Sequence, residues 1–232
     1  MIRALPPKGC AISVIALQCV PVALKTRRQA TRRQTSRSRT LAGLRRAEIL
    51  AAALKVFCKK GYTEARMEDV AAQAKIAKGT LYLYFSSKAE IYSAAAHSGM
   101  EQLSTLAVER TAGIADFHTR LETLITVRLD FWMEQRSLYR MLLTVGRAPE
   151  HRKQTHAIIN RAVASIQSVL EEGVRTGEVA PQPLDPLAQA IVDMMRGAIE
   201  RRLDGLSKNT SAEDAREISR IAFSALGLPY ST

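Results

Sequence analysis

The chain has 232 residues, 47% of them apolar and only 5% aromatic, and a formal net charge of +12. That length allows one or two domains with a real core, and the rarity of alternating β-branched runs favours an all-α protein. Cys10, Cys19 and Cys58 are odd in number and show no CxxC spacing, which argues against a disulfide framework and against a zinc site. The reducing cytoplasm is the expected compartment, and Cys58, inside an apolar helix, reads as a small core residue.

The charge is concentrated at one end. Residues 1–46 hold 11 Lys/Arg and no acid, residues 47–92 carry +2, and residues 93–232 carry −1. A polyanion would therefore meet the N-terminal end. The first 24 residues include an apolar run from Cys10 to Leu24, too short to span a bilayer and interrupted by Pro21. They admit three readings: a disordered extension, a start codon placed upstream of the true one, or a targeting segment. From Lys25 to Thr40 seven basic residues alternate with Ser and Thr without an apolar period. This stretch reads as disordered in isolation, either an arm for phosphates and the minor groove or a solvated tail.

A helical pattern begins near Leu44, with Ile49, Ala53, Val56 and Phe57 at three- and four-residue spacing and Gly61 as the stop. A second short helix covers about Met67 to Ala74, with Val70, Ala71 and Ala74 facing in. Lys75-Ile76-Ala77 forms a three-residue turn plugged by Ile76, and a third helix starts at Lys78. Ser87 and Glu90 then cap a fourth. Helix, short turn, helix is the arrangement that places a later helix in the major groove. In the third helix Leu81 and Phe85 point one way. Thr80, Tyr84, Leu83 and Lys78 supply an outer face of hydroxyls and a cation.

Gly61-Tyr62, Glu68-Asp69-Val70-Ala71, Ala77-Lys78-Gly79-Thr80-Leu81-Tyr82, Tyr84-Phe85 and Ser87-Lys88 together resemble the DNA-binding domain of the TetR/AcrR family of transcriptional regulators, over residues 44–92. The resemblance implies that Thr80, Tyr82, Tyr84 and Lys88 contact phosphates and that Lys78, Gly79 and Leu83 lie nearest the base edges. The residue types suit these roles. Hydroxyls and an ammonium bond phosphate oxygens without reading sequence, Gly79 permits close backbone approach, and Leu83 can read only a thymine methyl or shape. Two positions depart from the family pattern. Arg66 stands where Ser or Thr usually caps the second helix, so it can contact a phosphate but cannot accept a cap hydrogen bond. Ala77 stands where Ser often caps the third.

Beyond Ser93 the pattern predicts helices at roughly 88–111, 116–134, 136–146, 150–176, 185–206 and 211–227. The 185–206 segment carries two apolar seams, one through Leu187, Ile191, Met194 and Ala198, the other through Ala188, Val192, Met195, Ile199 and Leu203. So wide a stripe suggests burial against its own domain and against a second molecule. Gly197 permits close helix approach, and Ile218, Ile221, Ala222, Ala225 and Leu226 offer a partner surface for a four-helix dimer interface. Phe117, Phe131, Trp132, Met133, Tyr139, Met141 and Met194 are the candidate lining of an apolar ligand pocket, although such residues at helical spacing are more often core. His97, His118, His151 and His156 form no HExxH or other ligand-spaced cluster, and no GxSxG or Gly-rich phosphate loop occurs, so an enzyme is not expected.

These readings combine into an all-α protein with a basic extension over 1–40 and a three-helix helix-turn-helix DNA-binding domain over 41–92. A helical bundle for ligand binding and dimerisation follows over 93–232. The expected function is a homodimeric repressor, released from a near-palindromic DNA operator by a small apolar inducer. A DNA-binding architectural protein without a ligand switch is the alternative. No cofactor, no metal and no membrane partner is expected.

Overall fold

Nine α-helices and one 3₁₀ turn make up the regular structure of the described residues, with no strand among them. The computed structural model describes residues 29–146 and 148–230, with side chains from residue 41 onward except at position 150. The apolar segment at the N-terminus and the first part of the basic arm lie outside the described residues. The helices are α1 (Gln29–Lys60), α2 (Met67–Gln73), α3 (Lys78–Tyr82), α4 (Lys88–Thr111), α5 (Phe117–Glu134), α6 (Arg136–Val145), α7 (Arg152–Thr176), α8 (Asp185–Leu203) and α9 (Ser211–Ala225), with the 3₁₀ turn at Pro149–His151.

Residues up to Leu44 form a unit of their own, whose described part is helical backbone from Gln29. Within Lys25–Thr40, read from the sequence as disordered in isolation, the described backbone is helical from Gln29 onward. No Pro or Gly interrupts Gln29–Ala42, and Arg, Gln and Ala are strong helix formers.

From Arg45 the chain forms a second unit. Ile49, Ala52, Ala53, Val56 and Phe57 line the buried side of α1, and Gly61 ends the helix with φ +80° and its N–H on the Phe57 carbonyl. Cys58, the next residue round the helix from Phe57, is exposed, its thiol facing the Ser137 carbonyl at 3.7 Å. The expectation of a core cysteine is thus corrected: one step along a helix turns the side chain about 100° from the apolar stripe.

The expected boundary at residue 92 falls inside α4, a 24-residue helix about 36 Å long at 1.5 Å per residue. Its buried stripe runs from Ile91 and Tyr92 through Ala95 and Met100 to Leu103 and Ala107, and one continuous core joins the helix-turn-helix to the bundle. Within the bundle α5 is central and packs against α4, α6, α7, α8 and α9.

The doubled seam of α8 is used mainly inside the chain: Ala188, Ile191, Val192, Met195, Ala198 and Ile199 are all buried. Ile218 and Ala222 of α9, and Leu226 just past its end, are likewise buried within the chain, which removes them from the expected partner surface. What remains on the outside is a narrower stripe. Leu187, Ala190, Met194 and Gly197 recur at three- and four-residue spacing on α8, and Ile221 (46% exposed) and Ala225 lie on α9.

Candidate nucleic-acid interface and bundle cavity

The turn between α2 and α3 is built from local sequence. Ile76 N–H bonds the Ala71 carbonyl at 3.0 Å, its side chain packs on the core, and Lys75 adopts the left-handed φ of +57° that so tight a reversal needs. Leu81 and Phe85 are fully buried and fix one side of α3. The opposite side is left to solvent: Leu83 is 84% exposed and Tyr82 45%. Tyr82 is therefore no core tyrosine. Nothing lies within 4 Å of where a side chain on Gly79 would begin, so the backbone there is open to a large partner. Thr80 and Tyr84 are half-buried beside these residues.

Lys78, in the first turn of α3, pairs with Glu68 of α2 at 2.5 Å and lies 5.9 Å from the Tyr82 ring centroid. The hydrogen bond to Lys78 holds the Glu68 carboxyl below its ordinary pKa, and the same contact raises that of Lys78. Sequence reasoning placed Glu68 in the motif but missed this pair, which sets an acid next to the strongest candidate base reader. The pair is still exposed and therefore exchangeable.

Lys88 is more constrained than a solvated lysine. Its ammonium donates to the carbonyls of Tyr62 (2.7 Å) and Thr63 (2.9 Å) and sits 4.9 Å from the centre of the Tyr62 ring. Two of its three donors thus hold the loop between α1 and α2. Arg66 makes no side-chain cap, as its chemistry requires. Asp69 takes over: its Oδ2 accepts from the Arg66 N–H at 3.0 Å, and its Oδ1 pairs with Lys60 at 2.6 Å. Ala77 likewise provides no cap. At α4, Ser87 Oγ accepts from Glu90 N–H as expected, whereas Glu90 reaches back to Ser86, not Ser87, accepting from its N–H (2.7 Å) and hydroxyl (2.9 Å).

Arg46 is a further residue that the sequence did not single out. It donates to the Tyr84 carbonyl at 2.8 Å, lies over the Phe85 ring at 4.1 Å and approaches Glu90 at 3.7 Å. It ties α1 to the end of the reading helix and to the start of α4. Within a run of basic residues nothing local distinguishes it from a solvated arginine.

Inside the bundle a cavity of about 110 Å³ is lined by residues of α4 to α8. Of the five expected pocket residues, Trp132 and Tyr139 line it. Phe131 and Met141 are buried in the core away from it, and Met194 packs against the core from outside. Helix geometry explains the division. Arg128 and Trp132 are four apart and share a face of α5, which Phe131 leaves; Met141 is two residues from Tyr139; and Val192, Met195 and Ile199 carry the inner face that Met194 misses. Phe117 and Met133 also lie outside the lining. Among the lining residues that were not foreseen is Arg128, buried with its Nε unpartnered. The available signal was a lone arginine on the apolar stripe of Leu121, Leu124, Ile125 and Leu129.

Residues 49–95 match the family model described as bacterial regulatory proteins, tetR family. The uncharacterized HTH-type transcriptional regulator YfiR of Bacillus subtilis is 28% identical over 177 residues, which cover 68% of this chain and 80% of YfiR. The HTH-type transcriptional activator FasR of Mycolicibacterium smegmatis is 32% identical over 98 residues, 42% of this chain and 45% of FasR. The fold is shared with the transcriptional regulator FadR of Bacillus subtilis, solved in complex with stearoyl-CoA. That match has a TM-score of 0.70 at 21% identity and covers 77% of this chain and 97% of FadR.

Proposed function

Since the chain is a DNA-binding transcriptional regulator of the TetR family, we propose that it works as a homodimeric repressor whose two α3 helices seat on a near-palindromic operator and whose bundle cavity takes the releasing ligand. Arg66, Thr80, Tyr82, Tyr84 and the third donor of Lys88 bind phosphates in this reading, while Lys78, Gly79 and Leu83 face the bases. Residues 1–40 would serve as an arm, 41–92 as the reading head and 93–232 as the regulatory part, acting in the cytoplasm at the nucleoid. The outer stripe of Leu187, Ala190, Met194, Gly197, Ile221 and Ala225 supports a two-fold contact between copies. FadR, of the same fold, was solved with an acyl-CoA, which supports ligand control here.

The observation that carries the switch is the continuity of α4. Its first turn holds the reading head through Lys88 and Glu90. Met100, about 18 Å further along the same helix, lines the cavity with Leu103. An occupant that shifts α4 must therefore shift the head, and in a dimer this changes the distance between two half-site readers. Genome-wide mapping of bound sites, followed by binding assays on the recovered site and its halves, tests the reading. One palindromic motif, bound as a dimer and poorly as a half-site, is expected, with neighbouring genes expressed more strongly in a deletion strain. Uniform coating of any duplex, or lower expression in the deletion strain, sinks the repressor.

A further inference from the structure

Arg128 lies near the middle of α5, 5% exposed, and makes no hydrogen bond or ion pair with any described residue. Burial lowers its pKa only to about 10, so it stays a cation at neutral pH. A buried, unpaired charge is among the costliest groups a core can hold. An aliphatic residue there would simply continue the α5 stripe. The protein therefore keeps a strained electrostatic site in the wall of its cavity, and the cavity lining contains no Asp or Glu to satisfy it.

Of the other polar groups of the lining, only the Tyr139 hydroxyl shares its character. Arg196, 42% exposed, brings a second guanidinium that is already paired with Asp193 at 3.3 Å, and the Thr155 hydroxyl donates to main-chain carbonyls, whereas the Tyr139 hydroxyl is buried without a hydrogen-bond partner. Arg128 and Tyr139 thus offer donors that want an acceptor. The remaining walls are apolar, among them Met100, Leu103, Leu142, Ile158, Val192 and Met195. At about 110 Å³ the cavity is of the order of an engineered hollow that holds one benzene ring.

We propose that this cavity binds a small organic carboxylate, its head on Arg128 and its ring or short alkyl body among the Met, Leu and Ile side chains. The proposal rests on the ligand-controlled reading above and names the ligand's chemistry. It also departs from the small apolar inducer that the sequence suggested. One buried guanidinium matches one negative charge. A coenzyme A ester, with several phosphates and a long chain, matches neither the charge nor the volume.

The test is calorimetric titration of the full-length protein with benzoate, phenylacetate, hexanoate and octanoate, each against its neutral primary amide, with stearoyl-CoA as a separate arm. At least one acid should bind at least tenfold more tightly than its amide. Arg128→Met should abolish that preference and should melt at a higher temperature than the ligand-free wild type, because it removes an unpaired buried charge. Arg128→Lys should keep part of the preference. Equal binding of acid and amide, binding of stearoyl-CoA alone, or no binding in the whole panel overturns the proposal. So does an Arg128→Met protein that melts lower and still prefers the acid. Operator release is scored separately. An acid that binds with this preference but leaves DNA bound refutes the switch and keeps the site; a neutral compound that releases DNA from wild type and Arg128→Met alike does the reverse.

Discussion

Replacing Lys88 with Ala separates a structural clamp from a phosphate contact. The substitution removes the two charge-assisted hydrogen bonds to Tyr62 and Thr63 at 2.7 and 2.9 Å and the cation over the Tyr62 ring. Hydrogen bonds to charged groups contribute about 1.5–3 kcal/mol each. Lys88 is only half-buried, so water can reach the freed carbonyls and recover much of that. The net loss should be about 2 kcal/mol, which in a chain of this size lowers Tm by about 4–8 °C. Calorimetry without DNA reads this directly. In DNA titrations the slope of log K against log salt should fall by no more than about 0.9 per subunit, the value of one phosphate contact. An unchanged Tm together with a reduced slope would refute the clamp and leave a simple phosphate anchor.

Three further outcomes follow from other contacts. Gly173→Ala would put a methyl 2.8 Å from both the Phe117 ring and the Val179 side chain, two buried groups with no room to retreat. Overpacking of this kind should cost about 1–3 kcal/mol, read as a lower Tm; an unchanged Tm would mean that α7 can shift. Arg46→Gln should weaken operator binding more than Arg46→Lys does, because only the guanidinium spans Tyr84 and Glu90; equal affinities would remove its positioning role. The carboxyls of Asp69, Glu90, Asp116 and Glu213 are all held below their ordinary pKa, by the hydrogen bond from Lys60, the Ser86 N–H, the Thr119 hydroxyl and the Thr210 N–H respectively. A depressed folded-state pKa gives stability that is complete above the unfolded value and is lost as pH falls through the folded one. Tm should therefore be level from about pH 7 to 5 and drop below about pH 4, with a shallower acid limb in Glu213→Gln.

The amino-acid order alone determined the helical fold and most element ends, because these depend on neighbours. Gly61 and Gly177 stop helices at positive φ, Ser87 caps α4, and the apolar spacing of α1, α2 and α3 selects the residues that become buried. The outer face of α3 was legible for the same reason: once Leu81 and Phe85 face the core, helical geometry turns Tyr82 and Leu83 to solvent. What needed the tertiary structure were contacts between residues far apart in the chain. Arg46 on Tyr84, Lys88 on Tyr62, and the use of most of the doubled α8 seam within one chain have no local signature. Arg128 shows the limit most sharply. The sequence shows a lone arginine on the apolar stripe of α5, but only the packing of α4 to α8 encloses it without a counter-charge, since the cost of a charge depends on what surrounds it in space.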